Sequence, residues 1–236
     1  MNFFFDIFIK KKTQTSNIEG VEIQRSSRRT RTVSLKIKNG KPVIFCPNFV
    51  DDNYLRKIIL KKKNWIEHNL KKKKTIIEFS EKKKFPILGK NYKILFLNCK
   101  KTEVKIIENF IRISCKNKLN MRSVFVSWLK NQSKQYLKNR VSILSKRIKI
   151  DPRAVFVKTY RARWGCCTSK SEIFLNWKLI LLPKRIIDYV IFHELSHILV
   201  PNHSKGFWLT VKKFDSNYIE KKDWLKKNGC SYIQFK

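Results

Sequence analysis

His193-Glu194-Leu195-Ser196-His197-Ile198-Leu199-Val200-Pro201-Asn202-His203 holds three of the four histidines in the chain. On a helix, residues at i and i+4 share one face, so His193 and His197 can aim their imidazoles at one metal ion. Glu194 stands between them, where a carboxylate can reach a water on that metal without becoming a ligand itself. With four His and ten Glu in 236 residues, this His-Glu-x-x-His spacing arises by chance in roughly three chains per thousand. The interval from His193 to His203 equals that of the H-E-x-x-H-x-x-G-x-x-H metalloprotease pattern, with Val200 in the glycine position. Pro201 cannot continue a helix and pushes the residue before it out of the α region. The spacing therefore predicts a helix ending near Val200 and a return of His203 on the following turn or the next helix.

Three neutral imidazoles leave one position open on tetrahedral zinc, which marks a catalytic site more than a structural one. The chemistry expected is water attack on a peptide carbonyl, with Glu194 taking the water's proton and passing it to the leaving amine. Arg161, Arg163, Asn176 and Tyr189 are candidates for stabilising the oxyanion, and Asp188 for orienting a ligand imidazole. The strand near Glu172–Leu175 is a candidate edge for an extended peptide.

Length and composition bound the remaining choices. A chain of 236 residues holds one or two domains with a sizeable core. It contains no run of eighteen apolar residues, so no membrane span is expected. The apolar start, Met1–Ile9, carries Asp6 and is followed by Lys10–Lys12, the reverse of a secretory signal. It reads as a first strand, and the chain as cytoplasmic. The six cysteines show no C-x-x-C pair, and a Cys166–Cys167 bridge would be strained, so reduced thiols are expected.

Basic residues dominate: 54 Lys and Arg against 17 Asp and Glu give a net charge of +37. Residues 1–150 hold 38 basic and 10 acidic residues, or +28, and 151–236 hold 16 and 7, or +9. Such a field attracts polyanions, non-specific nucleic acid among them. The same chain is rich in Lys, Ile, Asn and Phe and poor in Gly, Ala and Pro, a skew that genome-wide bias also produces. Lys61–Lys63 and Lys71–Lys74 fit solvated helix faces.

Alternation at Val33, Leu35 and Ile37, then Val43 and Phe45, predicts a hairpin over 21–47, turning at Asn39-Gly40. Asp51 or Asp52 can cap a helix running to about Lys74. Tyr92–Leu97, Val104–Ile107 and Ile111–Ser114 predict a small meander turning at Glu108-Asn109. From about Asn120 to Ile148 the period becomes helical, and Asp151-Pro152 breaks it. Val155–Val157 and Ile173–Leu175 read as strands. Pro183 suits the first turn of the motif helix, whose core face is Ile187, Val190, Ile191, Leu195 and Ile198. A last helix covers about Lys205–Phe214. The organisation expected is α+β, with a β-rich region over 1–118 containing one helix, and a catalytic region over 119–236.

Arg163-Trp164-Gly165-Cys166-Cys167, Leu175-Asn176-Trp177-Lys178-Leu179-Ile180, Asp188-Tyr189-Val190, the histidine motif and Phe207-Trp208 together resemble the YgjP-like metallopeptidase domain, a bacterial zincin family related to the SprT and WLM groups. The likeness extends upstream through Arg28–Leu35, Trp65-Ile66 and Phe85-Pro86-Ile87-Leu88-Gly89, and so covers most of the chain. The family usually has serine at position 166, so Cys166 departs from it. The resemblance implies a zincin-like fold with a mixed sheet beside the motif helix. It also implies zinc on His193, His197 and His203, Glu194 as base, and a polypeptide substrate. Two other classes stay open: a metal-dependent phosphohydrolase acting on an anionic substrate, and a nucleic-acid-associated protein with structural zinc. In the latter, Cys167 or Cys230 would be the fourth ligand. A protease acting on nucleic-acid-bound proteins would join the first reading to the last.

Overall fold

The computed structural model describes residues 14–38, 40–71, 77–81 and 83–235, and the chain divides into two compact units, Met1–Lys73 and Lys74–Lys236. The first strand expected at Met1–Ile9 lies outside the described residues.

In the first unit, β1 (Gln14–Ile18), β2 (Val21–Arg25), β3 (Ser34–Lys38) and β4 (Lys41–Cys46) form a sheet in the order β1-β2-β4-β3. Residues 21–47, expected as one hairpin, hold three strands. β3–β4 is the antiparallel hairpin, with Ile37 opposite Pro42, and β2 lies parallel to β4. Asn39 of the expected turn lies outside the described residues. Ile44 and Cys46 are the fully buried pair, while Phe45 is turned toward the Arg29 and Lys36 cations. Asp51 caps α1 (Asp52–Lys61) by accepting the Asn53 and Tyr54 N–H groups at 2.9 and 3.2 Å. The single helix expected to about Lys74 is instead two, because the chain turns at Lys62 before α2 (Lys63–Lys71). No proline or glycine marks that turn in the sequence. Leu55, Ile59 and Ile66 close the core over Ile18, Val21 and Ile23.

The second unit begins with β5 (Lys84–Ile87), β6 (Lys90–Asn98), β7 (Glu103–Ile107) and β8 (Phe110–Cys115), in the order β5-β6-β8-β7. The meander expectation is corrected here, since β8 lies parallel to β6 and β7 is pushed to the edge. Burial explains the order. Ile111, Ile113 and Cys115 of β8 are at most 2 % exposed, whereas Ile106 and Ile107 of β7 are 41 and 43 % exposed. The more apolar strand takes the centre. This sheet, read from the sequence as part of a region over 1–118, packs within the second unit against α3 (Met121–Ile148).

α3 buries Met121, Phe125, Leu129, Ser133, Leu137, Val141 and Leu144, spaced three or four apart so that they form one stripe. It ends as predicted, at Lys149 in the left-handed conformation (φ 56°), just before Asp151-Pro152. β9 (Ala154–Lys158), β10 (Gly165–Cys167) and β11 (Glu172–Asn176) form a mixed sheet in the order β10-β11-β9. β11 is parallel to β9 and antiparallel to β10. A buried 3₁₀ turn, Trp177–Leu181, then leads into α4 (Lys184–Leu199). Two ties hold this turn. Ser133 donates its hydroxyl to the Trp177 carbonyl at 2.7 Å, and the Leu88 N–H donates to the Ile180 carbonyl at 2.8 Å. Gly89 sits at φ 83°, and a Cβ there would come 3.2 Å from Pro183 Cα. The Phe85–Gly89 stretch is therefore a buttress for the start of α4.

Helices α5 (Lys205–Phe214) and α6 (Tyr218–Ile233) complete the unit. α5 matches the helix expected at 205–214, but it is not the last. α6 carries scattered apolar residues (Trp224, Leu225 and Tyr232) that reach the core only once α4 is in place. No helix among the described residues is long and apolar enough to cross a membrane.

Candidate metal centre

α4 stops where the sequence predicts, with Val200 extended (φ −135°, ψ 103°) and its N–H bonded to the Ser196 carbonyl at 3.0 Å. The chain then turns through Pro201-Asn202, where Asn202 accepts the Ser204 N–H at 3.1 Å. That turn brings His203 back over the helix. His193, His197 and His203 each offer a ring nitrogen, and the three nitrogens lie within 4.8 Å of one another. His193 Nε2 and His203 Nε2 are 3.1 Å apart. Two such nitrogens facing each other need a shared proton or a shared cation, and three converging neutral imidazoles suit a divalent metal. His197 Nδ1 stands 3.3 Å from the Val200 carbonyl, which favours the tautomer that leaves Nε2 free to ligate.

Phe207 of α5 wedges into the cluster, its ring centroid 4.9, 4.4 and 4.8 Å from those of His193, His197 and His203. Trp208 stacks on His203 at 5.7 Å and on Tyr218 at 5.6 Å. This apolar packing sets the electrostatics. Burial pushes the His193 imidazole down to about 3, with smaller contributions from His197 and His203, and it also lowers His197. Both rings are thus held neutral, the form in which imidazole ligates.

Glu194 is 5 % exposed and lies under β10. Burial raises its carboxyl to about 8, opposed by the Arg163 cation. Gly165 makes room for it: a Cβ at that position would stand 2.7 Å from Glu194 Oε1 and 2.9 Å from Cδ. Nothing local in the sequence says which side chain Gly165 faces.

Several expected roles are reassigned. Asp188 does not orient an imidazole; it forms a two-point pair with Arg140 of α3, at 2.6 and 2.7 Å. His193 Nδ1 is buried with no protein partner. Asn176 is fully buried and spends its amide holding the chain before β10. Its Nδ2 donates to the Tyr160 and Arg163 carbonyls at 3.1 and 2.9 Å, and its Oδ1 accepts the Lys178 N–H at 3.2 Å. It has nothing left for an oxyanion. Tyr189 is buried beside His193, ring to ring at 6.1 Å, and burial pushes its hydroxyl up to about 12. Arg161 is exposed, and Arg163 remains the cation that acts on Glu194. The strand Glu172–Leu175 has no free edge, being the middle strand of its sheet; the edges belong to β10 and β9. Cys167, raised to about 11 by burial and then Glu194, and the exposed Cys230 are both outside the histidine group.

An α+β fold with a His-Glu-x-x-His helix and a third histidine on the following turn is the layout of a zincin-like metallopeptidase. Residues 31–228 match the YgjP-like metallopeptidase domain, and the chain belongs to that family. Two solved metallopeptidase zymogens are similar over a smaller part. Abylysin of Pyrococcus abyssi shares 19 % identity over 39 % of this chain and 93 % of its own, with a TM-score of 0.35. Jannalysin of Methanocaldococcus jannaschii shares 17 % identity over 39 % of this chain and 94 % of its own, also with a TM-score of 0.35. No curated protein matches the chain.

Proposed function

We propose that this chain hydrolyses peptide bonds at a zinc ion held by His193, His197 and His203, with Glu194 as general base, and that residues 119–236 carry the catalytic work. The observation behind this reading is the convergence of three ring nitrogens within 4.8 Å, two from the helix that presents Glu194 and one from the turn that follows it. Zinc, when bound, supplies a Lewis acid for the peptide carbonyl and lowers the pKa of a water in its open position toward about 7. The protein does the rest. Phe207 packs against the imidazoles and Trp208 against His203, and the Val200 carbonyl fixes the His197 tautomer. Glu194 receives the water's proton at its carboxylate and returns it to the leaving amine. Arg163 favours the ionised form of Glu194 against its burial.

A structural zinc would need a fourth protein ligand, and neither Cys167 nor Cys230 joins the histidine group. The testing experiment pairs metal analysis with peptide-library cleavage. Glu194→Gln should keep one zinc per chain and lose about 10²–10⁴-fold in hydrolysis, whereas His203→Ala should lose the metal. Loss of zinc from Glu194→Gln, or a zinc–sulfur distance near ~2.3 Å in X-ray absorption, would refute the assignment.

A further inference from the structure

The β9–β11–β10 sheet has one side the peptidase reading does not use. Val155, Val157, Ile173, Leu175 and Cys167 point into the core with α4. Alternation then turns Phe156, Phe174 and Cys166, which stand opposite one another in register, to the other side. Phe156 is 40 % exposed, and its ring lies 4.9 Å from that of Phe174 at only 18°. Lys158 Nζ sits 4.4 Å from the Phe174 ring. The chain leaving β9 adds exposed Arg161 and Arg163, the latter 5.5 Å from the Tyr160 ring. Among the described residues Lys158, Arg161 and Arg163 form no salt bridge, although Arg163 acts on Glu194 at longer range. Glu172, at the other end of this face, takes the Thr168 hydroxyl at 3.4 Å.

We propose that this face binds single-stranded nucleic acid, with Phe156 and Phe174 stacking a base and Lys158, Arg161 and Arg163 meeting phosphates. Charge complementarity selects an anionic partner in a protein of net charge +37. The aromatic pair narrows the choice. A duplex keeps its bases stacked inside, and an acidic peptide has carboxylates without a repeating planar ring. An unpaired strand presents phosphates and open π-faces together. Phe156 is the point where a base extends the existing stack, since Lys158 already covers Phe174. The site uses neither the histidines nor Glu194; Arg163, which also acts on Glu194, is the one residue the two share, and the variants below leave it in place.

The test is anisotropy of the full chain with a labelled oligothymidylate, its duplex with oligoadenylate, and competitors, across stepped salt. The single strand should bind more tightly than the duplex. Phe156→Leu, which keeps the bulk and removes the ring, should weaken it about tenfold, and Phe156→Tyr should not. Lys158→Ala should flatten the log–log salt slope by about 0.7, one phosphate's share. Zinc content should stay the same in all three variants, as measured on the same preparations. Equal binding by wild type and Phe156→Leu would overturn the proposal. So would displacement by polyphosphate or polyglutamate as effective as displacement by unlabelled oligothymidylate, because charge alone would then account for the binding.

Discussion

On one face of β10, Gly165 approaches Glu194 so closely that a methyl group there would stand 2.7 Å from Oε1. On the other face Cys166 is half-buried opposite Phe174, with the Tyr160 hydroxyl 3.8 Å from its sulfur. The two residues are neighbours in sequence and answer to different surroundings. Strand geometry sends successive side chains to opposite sides, so one short segment serves a closed site and an open surface at once. Volume at 165 is set by a buried carboxyl.

The closed side should be the costly one to disturb. Phe207→Ala should cost about 3–5 kcal/mol of unfolding free energy, as for other fully buried phenylalanines, and should weaken zinc affinity because all three imidazoles lose their common support. Urea unfolding and a competitive zinc titration read both effects, and a change under 1 kcal/mol would mean the cluster is not packed as described. Gly165→Ala comes next. Overpacking of this kind costs about 1–3 kcal/mol, and the displaced Glu194 should take most of the hydrolysis with it. Cys166→Ala, one residue away, should stay within about 0.5 kcal/mol of wild type and keep its activity. Equal effects at 165 and 166 would erase the distinction between the faces.

The Arg140–Asp188 pair offers a smaller effect on the helix that carries the site. A double-mutant cycle should give a coupling of about 1 kcal/mol, with zinc content unchanged in each variant, since Asp188 faces α3 and not His193. Loss of metal from Asp188→Ala would restore it as an orienting group. A further effect is a pH slope in the metal-free protein. His193 is held near about 3, below its unfolded value of about 6.5, and His197 shifts in the same direction. The unfolded chain therefore binds protons that the folded one refuses. Stability from this source is complete above about pH 6.5 and is lost as pH falls toward about 3. Glu194, raised from 4.5 to about 8, contributes with the opposite sign over the same range, so the histidine share is read as the difference between wild type and His193→Phe. In denaturation between pH 7 and 5 the variant should lose less, or gain more, as pH falls.

The sequence carried the local parts of this protein well. The i and i+4 histidines, the proline that ends α4, the 28-residue helix α3 and the turn at Glu108-Asn109 all follow from rules acting over a few residues. Their causes are steric or periodic, and so they are written along the chain. β10 was too short to show a period, and α6 hid because its apolar residues follow no single stripe. The break at Lys62 carried no proline or glycine to announce it.

What the sequence determined alone is the chemistry available: three imidazoles, one carboxylate, and the turn that can bring the third histidine back. Tertiary structure decided which groups meet. β8 took the centre of its sheet because burial favours the more apolar strand wherever it falls in order. Asp188 went to Arg140, forty-eight positions away. Gly165 came to rest on Glu194, twenty-nine positions away. Each of these is a contact between segments far apart in the chain, and its selection depends on the packing of the whole core. No window of sequence contains both partners, so only the folded protein could reveal the pairing.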